Sequence, residues 1–472
     1  MASTQAVSVF QACALKVEST YGVAVDPSAT DFYHISDGTE ISASRVNAAI
    51  PDKTGTSRSQ RGAIPGFPTS DGTFNIVTRT SGVAGTPPNI DGILQATFFG
   101  DSVDNSADSV QASPTPSVTG FDIGTPGNVN AGSIIVVTSN NFDNVGTAEA
   151  RVCTSNSSGS LVVTPEFSAA PASADVVSAT NTYSVKAARD GSLTFWTYLD
   201  SGDKVAMVSQ CMPGFAPTSL TINWEHGGEG YLNMSFAGEG SGEEIFTGRT
   251  TLSAAITGAL ATDTTISLTE RGVVSIGSRI LIDAEAMKVT AKSGETGAGT
   301  ITVERGYDGT TRDTHSISTA VRPYRVTPSL STTAPIPSIY CDVIIGTKAT
   351  QFPATRVNVV INDNITVLRD SSSSEGQGTA YAPGMRTVEV EIEGYLRDSS
   401  QLDAFRGFMG LGAQCLIQWG RTAGKVVALS MPNCVFQGQP ISGSGDGPIT
   451  VTLRGEARLA TNSEDELKLA FG

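Results

Sequence analysis

Arg386-Thr387-Val388-Glu389-Val390-Glu391-Ile392-Glu393 alternates without a break. Val388, Val390 and Ile392 fall on one side, and Thr387, Glu389, Glu391 and Glu393 on the other. Side chains of a strand point to opposite faces in turn, so this pattern predicts a half-buried antiparallel strand. Its polar side carries three carboxylates in a row, where a strand needing only solubility would mix signs. The acidic face is therefore a candidate functional surface.

Upstream, Arg356-Val357-Asn358 opens another apolar strand, followed by a polar stretch, 363–383, that leads into the acidic strand. Arg45-Val46-Asn47 repeats the first tripeptide at an offset of 356 − 45 = 311, and a Gly/Ser/Pro-rich stretch, 52–71, follows it. A strand then runs from Thr73 to Arg79. Each unit continues into a short apolar helix. One begins at Asn89 as N-cap, with Ile90, Ile93, Leu94 and Phe98 at helical spacing; the other spans Ser399 to Met409, with Leu402, Phe405 and Phe408. Downstream of each comes an aromatic strand (Phe195-Trp196; Ile417-Gln418-Trp419), an apolar strand reaching Cys211 or Cys434, and a Gly-rich turn. The closing strands, Leu232–Glu239 and Ile449–Glu456, match at an offset of 449 − 232 = 217. Five matches in one order indicate an internal duplication. The fall in offset places an insertion at 106–188, and a second extra segment at 247–326 separates the copies. The two extra pieces resemble each other: Gly132–Val137 parallels Gly277–Ile282, and Ser160–Thr164 parallels Thr300–Glu304. The chain thus divides into an arm (1–33), a first copy (34–105 and 189–246) interrupted by one β module (106–188), a second module (247–326), a second copy (327–460) and a tail (461–472). The expected fold class is all-β: two tandem β-sandwich domains, each with a short flanking helix, and two small inserted modules.

Composition agrees with this reading. The 472 residues include 50 glycines, with 7% aromatic and 16% charged residues, as in a turn-rich β protein. A net charge of −16 disfavours nucleic-acid binding by counterion release. No long apolar run predicts a membrane span, and the first residues lack the pattern of a secretory signal. The six cysteines form no CxxC pair and read as buried, reduced thiols. His34, His226 and His315 lie in different modules, and no HExxH, GxSxG, P-loop or EF-hand pattern occurs. Asp71-Gly72 and Asp308-Gly309 read as hairpin turns. Catalytic residues, metal ligands and cofactors are all expected to be none.

The pattern resembles the tail tube proteins of long-tailed, siphovirus-like bacteriophages. The resemblance rests on Glu18-Ser19-Thr20-Tyr21-Gly22-Val23-Ala24-Val25, the strand–loop–strand unit from Arg356 to Glu393, the Gln401–Met409 helix and Gly445-Asp446-Gly447-Pro448-Ile449-Thr450-Val451. The segment Val303–Thr311 is similar to a small β module of phage tail and fibre proteins. The resemblance implies a virion protein, assembled in the host cytoplasm, whose sheet joins neighbouring copies into rings that stack as a DNA-conducting tube. Its implied partners are itself and the tape measure, tail terminator and distal tail proteins, with DNA passing through without specific binding and no membrane involved. With two copies per chain, three chains would complete a pseudo-hexameric ring. Residues expected to face the lumen are Glu389, Glu391, Glu393, Asn75, Asn233, Thr450 and Thr452. Residues expected in inter-ring loops are Thr54, Arg58, Arg61, Arg369, Ser372 and Glu375. Alternative readings are a receptor- or carbohydrate-binding tail-tip protein and the inner tube of a contractile tail.

Overall fold

The computed structural model describes residues 11–50, 61–144, 146–189, 191–200, 206–228, 230–372, 376–396, 411–437, 441–442, 448–460 and 466–472. The chain is all-β, with one short α-helix among the described residues. Nineteen strands form the main sheet system. In the first repeat these are β1 (Ala12–Val17), β2 (Phe32–Tyr33), β3 (Glu40–Ile50) and β4 (Arg61–Val77), then helix α1 (Asp91–Ala96). After β5 (Val103–Asn105) and β6 (Thr180–Ser184) come β7 (Leu193–Asp200), β8 (Ala206–Glu225), β9 (Asn233–Glu239) and β10 (Ile245–Thr247). The second repeat holds β11 (Cys341–Ile345), β12 (Gln351–Phe352), β13 (Ala354–Asn362), β14 (Thr387–Tyr395), β15 (Ala413–Trp419), β16 (Val427–Phe436), β17 (Ile441–Ser442), β18 (Thr450–Ala457) and β19 (Lys468–Phe471).

The two repeats have the same strand pairing. In the first, β2 pairs β1, β1 pairs β7, β7 pairs β8, β8 pairs β9 and β10, β9 pairs β4, and β4 pairs β3. In the second, β12, β11, β15, β16 with β17, β18, β19, β14 and β13 repeat that scheme. The ladders also correct one alignment. Ser235 pairs Asn75 and Thr452 pairs Glu393, which makes Asn75 equivalent to Glu393 and Thr73 to Glu391. Thr73 then pairs Glu40 and Glu391 pairs Asn358, so β3 matches β13 at 358 − 40 = 318. The Arg-Val-Asn tripeptides are therefore offset by seven residues from structural equivalence. A three-residue likeness constrains a strand far less than its hydrogen-bonded neighbours do.

The repeats share one sheet. Ser219–Glu225 of β8 pairs antiparallel with Arg356–Asn362 of β13, giving the order β3-β4-β9-β8-β13-β14-β18-β17. A second layer is built from β1, β2, β7, the first half of β8 and β10, and from their counterparts. Strand β8 serves both layers: its first half pairs β7, its second half pairs β9, and Gly214 between them has φ +69°. Between the layers one continuous core runs through both repeats and includes Phe74, Leu220, Trp224, Val357, Ile392 and Trp419. Each buried Val or Ile on the inner sheet contributes about 1.5–3 kcal/mol, which makes this face the dominant stabilising feature of the strands. Helix α1 covers the core with Ile93, Leu94 and Ala96. It is shorter than the sequence suggested, and its N-cap position is Ile90, not Asn89. The second helix expected, 399–409, lies outside the described residues.

Several segments differ from expectation in informative ways. Ala12–Val17, placed in an arm from the sequence, is a strand between β2 and β7 with Cys13, Ala14 and Leu15 buried. The strand β4 begins at Arg61, so much of the polar stretch 52–71 is one arm of a long hairpin with β3. Its prolines concealed it. Pro65 and Pro68 flank a register shift opposite Arg45 and Asn47, a place where a sheet tolerates missing donors. Asp71-Gly72 is mid-strand, not a turn; a Cβ on Gly72 would lie 2.5 Å from Met212 Cε. The motif around Glu18 also has a structural explanation. Glu18 is 5% exposed, and its carboxylate accepts hydrogen bonds from Gly22 N (3.0 Å), Gly214 N (2.8 Å), Ser192 Oγ (2.5 Å) and Thr194 Oγ1 (2.7 Å). It ties the β1–β2 connection to β7 and to the bend of β8. All six cysteines are free, and burial pushes thiols such as Cys13 up to about 12.

The two modules share a topology too. Counting strands along each module, both six-stranded sheets have the order 1-6-3-4-5-2. Their cores are separate, one around Phe121, Phe142 and Phe167, the other around Leu268, Ile280 and Val303. Each docks at an equivalent site. The second module lays the Arg279 guanidinium 4.8 Å over the Trp196 ring and hydrogen-bonds it to Tyr198 of β7. The first module packs Ile134, Val136 and Ala150 on Val426, Ala428 and Ala470 of the second repeat. There, Gln418 of β15 holds Ala150 N (2.6 Å) and Ala148 O (2.8 Å). The module carried inside the first repeat thus straps onto the second. The flanking strands β5 and β6 belong to the main system, and β6 pairs β19.

Replacing Glu18 with Ala would leave four donors without their acceptor; charged hydrogen bonds contribute about 1.5–3 kcal/mol each. We expect Glu18→Ala to lower the unfolding free energy by more than about 3 kcal/mol, with Glu18→Gln intermediate, in urea titrations followed by tryptophan fluorescence. A second expectation concerns pH. Burial opposes ionisation of Glu285, yet hydrogen bonds from Arg305 and His315 and from the Asp313 and Gly306 amides hold its carboxyl at about 2. This folded-state value lies below the unfolded one, so its stabilisation is present above the ordinary carboxylate range and is lost as pH falls from about 4.5 toward 2. Amide protection in 265–305, taken relative to the intrinsic exchange rate at each pH, should fall over that window, and Glu285→Gln should flatten the dependence.

Candidate functional site

The inner sheet has one apolar face, described above, and one polar face that crosses both repeats. The polar face is a direct consequence of period-two alternation in antiparallel strands locked into one register. Strand β14 contributes Glu389, Glu391 and Glu393, and its neighbour β18 contributes Thr450, Thr452, Arg454 and Glu456. On the other side β13 contributes Arg356 and Asn358, next to Asn223 and Glu225 of β8. Strands β9 and β4 complete the face with Asn233, Ser235, Asn75 and Asp71. The seven residues expected to share a surface, Glu389, Glu391, Glu393, Asn75, Asn233, Thr450 and Thr452, therefore do lie on one sheet face.

The face is acidic but not uniformly so. Arg454 stands opposite Glu391, with Nε 3.2 Å from Oε2, and Arg356 stands opposite Glu393. Glu389 stands opposite Glu456, a like-charged cross-strand pair that costs stability. The Arg454–Glu391 pair is well exposed, so it contributes under about 1 kcal/mol and acts mainly on local charge. Neither Arg356 nor Arg454 was among the residues expected on this face. Their positions follow the alternation of their own strands, but pairing with the glutamates requires the register. Two shallow depressions mark the face, one in each repeat. The first, about 380 Å³, is lined by residues that include Asn358, Glu389, Glu391, Arg454 and Glu456. The second, about 230 Å³, is lined by Asn75, Thr221, Asn223, Asn233 and Ser235 among others. Asn75 is fixed there by its Nδ2, which donates to Asp37 O at 2.8 Å.

The residues assigned to loops have mixed positions. Thr54, Arg58 and Glu375 lie outside the described residues. Arg61 opens β4 and pairs with Ile50, which corrects its placement in a loop. Arg369 and Ser372 sit beyond a small hairpin, Thr366–Leu368 with Ala380–Ala382. Ser372 N donates to Asp370 Oδ1 at 2.7 Å, closing a local turn. The hairpin's base is anchored by Asp363, whose carboxyl burial raises above its ordinary range despite Arg189, 3.6 Å away.

The chemistry of the face is that of a hydrated, mostly anionic surface. His226 follows β8 at the sheet's end, and its ring lies 6.0 Å from that of Trp224. His34 bonds Ser331 O, and His315 lies within the second module between Asp283 and Glu285. Among the described residues, no group of His, Cys, Asp and Glu is placed to hold a metal ion. No described helix is long and apolar enough to cross a membrane. Trp196, Trp224 and Trp419 are all buried, so none offers an exposed platform to a sugar. No protein-family model matches the chain, and no curated protein matches it.

Proposed function

We propose that this chain is a structural protein that joins copies of itself into stacked rings and forms a hollow tube, the tail tube of a siphovirus-like phage. The observation that carries the reading is the single sheet running through both repeats, mostly polar on one face and, among the described residues, unpaired at the outer edge of β3 and of β17. An open sheet edge is a template for another strand, and closing the sheet through neighbouring copies removes it. The polar face then lines the lumen. Its carboxylates repel a passing phosphate backbone over about 8 Å at physiological salt, and Arg356 and Arg454 keep the field shallow. Three chains supply six similar repeats per ring, and the modules decorate the outside. The tape measure, tail terminator and distal tail proteins would be partners of such a tube, and assembly would take place in the host cytoplasm. The tail-tip alternative gains nothing from the fold, because the tryptophans it would use are in the core.

Electron microscopy of the purified protein tests the class directly. Closed rings or tubes with three chains per turn are expected; a monomer that forms neither at high concentration would overturn the proposal. The lumen assignment has its own test. The wild-type assembly should give no gel shift with duplex DNA at moderate salt. Glu391→Lys, which places a second cation beside Arg454, should assemble normally and retain DNA at least about tenfold more strongly at low salt. Equal retention by the two proteins would move the polar face out of the lumen.

A further inference from the structure

The inner sheet contains one joint between repeats and two half-joints with no partner among the described residues. At one end, β3 pairs only with β4; at the other, β17 pairs only with β18. Both are equivalents of strands that meet inside the chain. Strand β3 corresponds to β13, and β17 corresponds to the end of β8. The β8–β13 ladder is therefore a worked example of how β17 can receive β3.

The register transfers residue by residue. Ile222 pairs Met234 and Ile441 pairs Val451, and Met234 and Val451 are equivalent, so Ile441 occupies the place of Ile222. Val359 pairs Val390 and Ile41 pairs Gly72, and Val390 and Gly72 are equivalent, so Ile41 occupies the place of Val359. Inside the chain Ile222 faces Val359 and Asn223 faces Asn358. We infer that β3 of one copy pairs antiparallel with β17 of the next, with Ile41 opposite Ile441 and Glu40 opposite Ser442. The inference rests on the tube reading for the identity of the partner, a second copy of this chain.

Chemistry along the ladder agrees with the transfer. Ile41 is partly buried against the main core, on the side where Ile222 and Val359 are fully buried. Glu40 lies at the register position of Asn358, on the polar face. A shift of one residue would turn every side chain of β3 to the wrong face, so the register is strongly specified. The joint is head-to-tail: each copy offers β3 on one side and β17 on the other. Such an interface closes into a ring if its rotation closes, and otherwise runs on as a filament.

Paired cysteines test the register in the assembled protein. Directly opposed residues of antiparallel strands have Cβ atoms about 4.5–5.5 Å apart, within reach of a disulfide after small adjustment. The Ile41→Cys/Ile441→Cys double variant, mildly oxidised, should give a non-reducing ladder of dimer and trimer at least about tenfold above the Ser42→Cys/Ile441→Cys pair, whose register is off by one. Neither single variant should cross-link. Amide exchange of the wild type gives a second reading: Glu40–Ser44 should exchange at least about tenfold more slowly in the assembly than in the monomer. Tubes seen by microscopy without either signal would overturn the joint and leave the tube standing. Preferential linking of the shifted pair would overturn the register. A protein that stays monomeric would remove both the joint and the tube.

Discussion

The ladder between Ser219–Glu225 and Arg356–Asn362 is the constraint on which the rest of the architecture depends. Without it the chain would be two small sandwiches, each with two open sides on its inner sheet. With it the apolar faces merge into one core and the polar faces into one surface, and among the described residues the unpaired edges lie at the far ends of the sheet. The sheet's register then decides which groups meet. Glu391 gains Arg454 as a neighbour and Glu389 gains Glu456, although nothing local to those strands requires either.

Much of this was legible in the sequence because alternation is a strong local signal. The acidic strand, its apolar face and the all-β class all follow from period two. The likeness of the two modules was also visible, since Gly132–Val137 and Gly277–Ile282 lie on the equivalent third strands. What escaped was set by long-range pairing. The Arg-Val-Asn repeat pointed to a real duplication through a wrong alignment, because ladders count residues from their neighbours and not from a shared tripeptide. Residues 61–71 read as a loop because glycine and proline lower strand propensity, and a register shift absorbs them. The contribution of Glu18 was hidden for a different reason: its four donors come from three separate segments.

The repeats have diverged where they meet the modules. Tyr198 and Gln418 occupy equivalent positions, yet one meets an arginine stacked on an indole and the other clamps a backbone edge through its amide. Glu149 and Glu285 are likewise equivalent buried carboxylates, neutralised by Arg151 in one module and by Arg305 in the other. A buried charge must be paired, but the cation can come from the same strand, as Arg151 does, or from the neighbouring one, as Arg305 does.

The second layer carries a mechanical consequence. Strand β6, from the first repeat, hydrogen-bonds to β19, from the second, while β8 and β13 join the repeats in the inner sheet. The repeats are therefore fastened twice, in two layers about 10 Å apart. They behave like the two flanges of a beam: bending the junction would have to stretch one ladder while compressing the other. A single ladder can hinge about its strands, but a doubled one resists. The angle between the repeats is thus fixed within the chain and is available as a template for the curvature of anything the chain builds.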